Sequence, residues 1–345
     1  LGATHNPLVT KGDQVMKEIA KDMGREDQFH PTEVAVFFGE PDKKVSDPFF
    51  EGEGPDRVGC NFCGACMTGC RIGAKNTLDK NYLYFAEKNG AEVRPETEVT
   101  AVRPRPEGGY LIETKPTFGQ GLEERITADR VILAAGVMGT MPLLLQMKED
   151  PEGLPRLSER VGDFVRSNSE ALIAVLSPKK GTNFSKGVAI TSILHTDDHS
   201  HIEPVRYGAG SGFFRTLLAP HAPGPTVLSR IWGGFAAFLR QPIRWLRALF
   251  VSDLAKHSQV LLYMRTLEGT LRMRLGREWR TGYRRSLVTE VDVPSQAPSA
   301  FMEEAADLAE RFAVKTEGVT TTLLSETLLG VPSTAHIRGG ACMGE

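Results

Sequence analysis

The stretch Arg130-Val-Ile-Leu-Ala-Ala-Gly136 runs through five apolar residues without a break and ends on a glycine. A strand of that kind cannot alternate between core and water, so it must be covered on both faces, as in a parallel sheet flanked by helices. The residues that follow, from Pro142 to Met147, read as the start of a helix. Between Leu172 and His195 the pattern changes to alternation, the signature of an antiparallel sheet with one covered face. Residues 259–265 and 282–293 read as further strands of that second kind. Two kinds of strand in one chain predict a mixed α/β and α+β architecture built on two separate sheets.

Elsewhere the periodicity is helical. Val15, Ile19 and Met23 recur on one face of residues 11–23, which Gly24 ends. Residues 78–88 read as a helix with Leu83 and Ala86 on its apolar side. Residues 299–312 read as another, with Ser299 as cap and Glu303 and Glu304 in the first turns. The apolar run over 33–38 predicts a strand, and the Gly-, Pro- and Asp-rich residues 39–59 a long loop. Shorter strands are expected over 91–102 and 110–114. Residues 204–230 are loop-rich.

At 345 residues, 41% hydrophobic and 24% charged, the chain has the balance of a globular protein large enough for a sizeable core. A net charge of −2 points away from a nucleic-acid partner. The apolar stretch from Ile231 to Leu239 is too short to span a bilayer. The start at Leu1 does not read as a signal peptide. Neither Leu1 nor Glu345 reads as a natural terminus, so an internal fragment of a longer protein is expected.

Four of the five cysteines are Cys60, Cys63, Cys66 and Cys70; the fifth is Cys342. That crowding is unlike a secreted disulfide framework and favours a cytoplasmic setting. The spacing C-x2-C-x2-C-x3-C is that of a bacterial ferredoxin loop. Against a cluster, Arg71 stands where proline usually follows, and only Cys342 remains for a second set. Free or structural thiols are the favoured reading, and an iron–sulfur electron carrier is the alternative.

Three stretches together carry a resemblance: the Cys-rich segment from Gly59 to Leu83, His-Ile-Glu-Pro-Val-Arg-Tyr-Gly over 201–208, and Thr-Ala-His-Ile-Arg-Gly-Gly-Ala-Cys-Met-Gly over 334–344. All three resemble the glucose–methanol–choline (GMC) oxidoreductases, on their cholesterol-oxidase-like branch. The apolar run from Val131 to Gly136 and residues 157–170 fit the same family. The resemblance implies a partial FAD-binding Rossmann-like domain joined to an antiparallel-sheet substrate domain. It implies oxidation of the CH–OH group of a sterol or other bulky alcohol, with hydride passing to FAD. It further implies residues 1–50 as part of the substrate domain or lid, 51–160 as part of the FAD domain, 161–330 as the substrate domain, and 331–345 as a return to the FAD domain. The family's Gly-x-Gly-x-x-Gly phosphate turn follows no strand here, so the ADP-binding βαβ unit is expected to be missing. Gly208-Ala-Gly-Ser-Gly212 has the wrong spacing and no strand before it.

The resemblance puts the family's active-site histidine at His336, where an imidazole can serve as base or hydrogen-bond partner to the alcohol. Arg338, close by, is expected to point away. FAD contacts are implied at Val99, Ala134, Ala135 and Gly136, and at Gly339 and Gly340. The family's second catalytic group, a glutamate, has no clear counterpart near the strand 260–264, and Glu268 lies beyond; either His257 substitutes or the role is absent. His195, His199, His201, Asp197 and Asp198 have metal-binding types, but a polar turn is the favoured reading and no metal is expected. Residues 231–250 read as a basic helix with Ile231, Phe235, Phe238, Trp245 and Leu249 on one face and Arg240, Arg244 and Arg247 on the other, kinked or restarted at Pro242. That helix either packs on the substrate domain or makes peripheral membrane contact. A non-catalytic binding remnant is a third reading of the whole chain.

Overall fold

The computed structural model describes residues 2–343 except 120, 122, 267, 268, 300, 331 and 333. The chain divides into two compact units, each assembled from three separate segments. The first comprises residues 1–91, 169–266 and 299–333; the second comprises 92–168, 267–298 and 334–345.

The first unit is organised by a seven-stranded, wholly antiparallel sheet. From one edge its strands are Leu218–Pro220, Val319–Leu323, Glu170–Leu176, Ser258–Arg265, Ser200–Val205, Ser192–His195 and Phe29–Pro31. One face is covered by the helices Lys11–Asp22 and Glu303–Thr316. Val15, Met16 and Ile19 from the first, and Leu308 and Phe312 from the second, pack against Ile173, Val175, Leu194, Ile202, Leu261 and Tyr263. The alternation that marks these strands is the alternation of this core face with its opposite. On the opposite face Leu176 and Val319 meet Trp245, Ala248, Val251 and Leu254.

The first helix is started by a reciprocal cap. Thr10 Oγ1 accepts from the Asp13 backbone, and Asp13 Oδ2 accepts from Thr10 N at 2.7 Å and Thr10 Oγ1 at 2.6 Å. The other carboxylate oxygen, Oδ1, accepts from Thr191 Oγ1 at 2.5 Å and Ser192 Oγ at 2.6 Å. Thr191 Oγ1 in turn accepts from Arg206 Nη2 at 2.5 Å, and both Asp13 and Arg206 are buried.

The second unit holds a three-stranded antiparallel sheet (Thr97–Pro104, Tyr110–Pro116, Glu124–Ala128), the hairpin Leu271–Gly276 with Ser286–Val291, and the helix Gly136–Glu149. Met141 and Leu145 of that helix pack with Val165, Met273 and Ile337.

Several expectations need correction. No strand forms over 130–136: the residues are irregular up to the helix at Gly136, and Ile132 is 90% exposed. A strand of this kind needs neighbours along both edges and layers over both faces, and none of the described residues pairs with it. The strand expected over 33–38 shrinks to Glu33–Val34. Beyond it the backbone is satisfied by the loop instead, Phe37 N by Ala74 O and Cys60 N by Phe37 O. Ser299 does not cap its helix, which runs Glu303–Thr316; its Oγ accepts from Phe301 N, two residues on. Residues 78–88 split at Asn81 into a short 3-10 turn and the helix Tyr82–Lys88, and Leu83 is exposed. The basic segment forms two helices, Val227–Arg240 and Pro242–Leu249, so Pro242 restarts the helix. Its apolar residues do not share one face: Phe238 and Trp245 pack inward, whereas Ile231, Phe235 and Leu249 are exposed.

Removing the Asp13 carboxylate leaves four buried donors without their acceptor. Asp13→Ala is expected to cost about 3 kcal/mol or more of stability, and Asp13→Asn less, as read from the urea midpoint.

Candidate active site

The segment around His336 is fixed to the second unit by main-chain bonds. Arg166 N donates to Arg338 O at 2.8 Å, Arg338 N to Arg166 O at 3.0 Å, and Gly162 N to Gly340 O at 2.8 Å. Ile337 packs into the core while His336 and Arg338 are exposed. Gly339 and Gly340 both sit at positive φ, +89° and +82°. A Cβ on Gly339 would lie 2.1 Å from Phe164 O, and one on Gly340 would lie 2.8 Å from Met141 Sδ. Only glycine admits both the dihedral and the approach.

Asn168 Nδ2 lies 2.6 Å from His336 Nδ1. Thr334 Oγ1 donates to Asn168 Oδ1 at 3.1 Å and accepts from His336 N at 3.2 Å. The Asn168 amide thus fixes the orientation of the imidazole through Nδ1 and leaves Nε2 on its other side. The side chain that holds this ring, Asn168, was not singled out by sequence. Its one signal is membership of the 157–170 segment that fits the family.

The residues expected on the FAD side lie in the same unit. Ala134, Ala135 and Gly136 are exposed at the N-terminus of the helix Gly136–Glu149, and nothing lies within 4 Å of where a Gly136 Cβ would stand. Val99 is exposed beside a register shift in its strand. The helix ties these places together. Met141 touches Gly340, Met147 Sδ lies 3.3 Å from Val102 N, and Asp150 just beyond accepts from Arg103 at 2.7 Å.

The first unit contains an apolar cavity of about 310 Å³, walled by Leu172, Ala174, Val260, Leu254, Leu218 and Leu323, with Tyr207, Ser258 and Thr322 as polar points and Arg206 at its margin. Glu203 stands on the same sheet face, since it pairs with Leu262 and Leu262 with Leu172. Its side chain is 13% exposed, and burial pushes its carboxyl up to about 7. His201 Nε2 is 3.8 Å away; burial, and then His195, hold that imidazole below its ordinary value. Glu203 is a largely covered carboxylate on the cavity face that sequence reasoning missed. The signal was a charged residue at an alternating position inside an apolar strand.

Of the other candidates, His257 Nδ1 is 2.8 Å from Ser177 O at the end of the strand, and Gln259 is buried with Nε2 donating to Val205 O at 2.7 Å. Glu268 lies outside the described residues. His195 and His201 face each other across a hairpin whose turn is held by Asp197 Oδ1 accepting from His199 N at 2.7 Å. Cys60, Cys63, Cys66 and Cys70 line one pocket with about 10 Å³ of room, on the order of a single water. Burial pushes the Cys60 and Cys66 thiols up. Burial acts the same way on Cys70, but the N–H groups of Lys75, Gly73, Ala74 and Ile72 outweigh it and hold that thiol below its usual value. Cys60, Cys66 and Cys70 pack in one small core with Val36 and Val188. Among the described residues no three His, Cys, Asp or Glu side chains are arranged to hold a metal ion.

Residues 54–147 match the family model described as GMC oxidoreductase. A protein named cholesterol oxidase from Acinetobacter baumannii is 37% identical over 357 residues, covering 99% of this chain and 63% of that protein. One of the same name from Mycobacterium tuberculosis (strain H37Rv) is 37% identical over 366 residues, covering 100% of this chain and 61% of that one. A solved FAD-dependent oxidoreductase from Chaetomium thermophilum is 12% identical with a TM-score of 0.39, over 91% of this chain and 55% of that one, too slight a likeness to build on. The chain is thus similar to the GMC oxidoreductase family over residues 54–147. The relatives to which it is similar along its whole length bear the name cholesterol oxidase, and it spans about three fifths of their length.

Gly339→Ala is expected to lower stability by at least about 1 kcal/mol and to expose residues 334–343 to limited proteolysis. Glu203 has a folded pKa above its unfolded one, so between about pH 4.5 and pH 7 the unfolded chain releases its proton first and stability falls as pH rises. Glu203→Gln should remove that slope and raise Tm at pH 8 by about 3 °C or more, with little change at pH 4.5.

Proposed function

We propose that this chain is the greater part of an FAD-dependent oxidoreductase acting on the CH–OH group of a sterol or another bulky apolar alcohol. The observation that carries the proposal is the exposed His336 imidazole, held by Asn168 and Thr334 next to a pair of glycines that keep the backbone free of side chains. FAD, when bound, accepts the hydride from the carbinol carbon. Val99, Ala134, Ala135, Gly136, Gly339 and Gly340 would hold it. The open space over Gly136 at a helix N-terminus suits a phosphate group, which supports the fit. With Nδ1 held by Asn168, His336 would take the hydroxyl proton at Nε2 as the hydride leaves the carbon. The apolar walls of the 310 Å³ cavity suit a bulky hydrocarbon substrate and exclude water from it. The names borne by the relatives support a sterol.

We further infer that the apolar run Val131–Ala135 becomes a strand only beside neighbours that lie outside this chain, in the part of the relatives' length it does not span. The exposure of Ile132 and Leu133 supports this, because a run so apolar is stable only when covered. The phosphate-binding glycine turn would belong to the same missing unit.

In the flavin-loaded protein, His336→Ala should lower turnover of a sterol alcohol by about a hundredfold or more, with flavin absorbance unchanged; undiminished turnover would remove His336 from the site. Added FAD should bind these 345 residues only weakly. A tight, stoichiometric yellow complex would overturn the inferred missing unit.

A further inference from the structure

The helices Val227–Arg240 and Pro242–Leu249 leave an unusual surface on the first unit. On the first helix Leu228, Ile231, Trp232, Phe235 and Leu239 are all exposed, Trp232 by 66%. Their spacing of three, four, seven and eleven residues from Leu228 makes them one stripe. Ile243, Leu246 and Phe250 continue an exposed apolar row on and just past the second helix. The inward faces are accounted for: Phe238, Trp245 and Ala248 pack in the core, and Arg230 is buried with Nε donating to Thr327 O at 2.6 Å. What remains outward is therefore not the helices' own packing surface.

The two helices carry charge of one sign. Residues 227–250 include no carboxylate, and besides the buried Arg230 they hold Arg240, Arg244 and Arg247. Where the two helices meet, a cleft of about 450 Å³ is lined by Lys179, Arg240, Arg244, Arg247 and Glu317. Glu317 is paired with Lys179 at 2.6 Å and also feels Arg244, so the cleft gathers four cationic side chains against one carboxylate.

We propose that this surface docks on an anionic lipid bilayer, with the apolar stripe entering the headgroup boundary and a lipid phosphate seated among Arg240, Arg244 and Arg247. Exposed Trp, Phe and Leu beside arginines and no acids is the composition of an interfacial helix. None of the described helices is long and apolar enough to cross a membrane, so the contact is peripheral. Guanidinium groups bind phosphate through paired N–H donors, and the cleft concentrates three of them at the edge of the apolar stripe. The proposal stands whether or not the alcohol is a sterol.

The test is vesicle co-sedimentation of the full chain with phosphatidylcholine alone and with phosphatidylcholine mixed with phosphatidylglycerol. Trp279→Phe removes the other exposed indole, since Trp245 is buried, and leaves Trp232 as the reporter. Binding to the anionic vesicles, with a blue shift of Trp232 emission and its quenching by brominated lipid, is expected. Each of Arg240→Gln, Arg244→Gln and Arg247→Gln should weaken it by roughly fivefold. The pair Trp232→Ser and Phe235→Ser should weaken it at least tenfold with circular dichroism unchanged, and inorganic phosphate should not shift the emission. Equal binding to neutral vesicles, no binding, or binding indifferent to the Trp232 and Phe235 changes would overturn the proposal. So would self-association abolished by that same pair, which would mean that a second copy covers the face.

Discussion

The first unit depends on a buried carboxylate. Asp13 accepts four hydrogen bonds, two from the residue that caps its own helix and two from Thr191 and Ser192. Thr191 passes the link to Arg206, whose Nη1 donates to Lys186 O at 2.5 Å. An ion taken out of water is costly unless every lone pair finds a donor, and here each oxygen has two. The network thus fixes the helix Lys11–Asp22, the sheet's outer strands and the loop before them in one register. Arg206, at its far end, borders the apolar cavity. The same charges that hold the core also shape the wall of the candidate substrate space.

Much of the first unit could be read from the chain because its physics is local. Alternation over the sheet strands and helical spacing of Val15 and Ile19 are patterns that a strand or helix carries by itself. The failures share a cause as well. The run at 130–136 has the composition of a covered strand, yet a strand is a property of its neighbours, and Ile132 has none among the described residues. The residues at 33–38 have strand composition too, but the loop through Ala74 supplies their hydrogen bonds. The basic segment misled for a subtler reason. Helical spacing groups residues on a helix but does not say which of them the neighbouring elements reach: within Val227–Arg240, Phe238 packs inward while Ile231 and Phe235 are exposed.

The candidate site was legible in part. His336 and the two glycines stand out because their motif is contiguous, and the positive φ at 339 and 340 is what such a pair is for. Asn168 did not stand out, being 168 residues from its partner. Glu203 was equally hidden: inside a quoted motif its charge looks unremarkable, and only burial on the cavity face of the sheet makes it notable. Identity of side chains is written in sequence; the environment that moves a carboxyl to about 7 is written in the fold.

The interleaving of the two units has a consequence for biogenesis. The backbone bonds Gly162–Gly340 and Arg166–Arg338 join residues separated by about half the chain. During synthesis the ribosome delivers residues 92–168 long before their partners at 334–343 exist. The second unit must therefore wait, partly unpaired, until residues 334–343 have emerged. High sequence separation of this kind slows folding and prolongs exposure of apolar surface, a cost that comes with placing the histidine so far along the chain from Asn168.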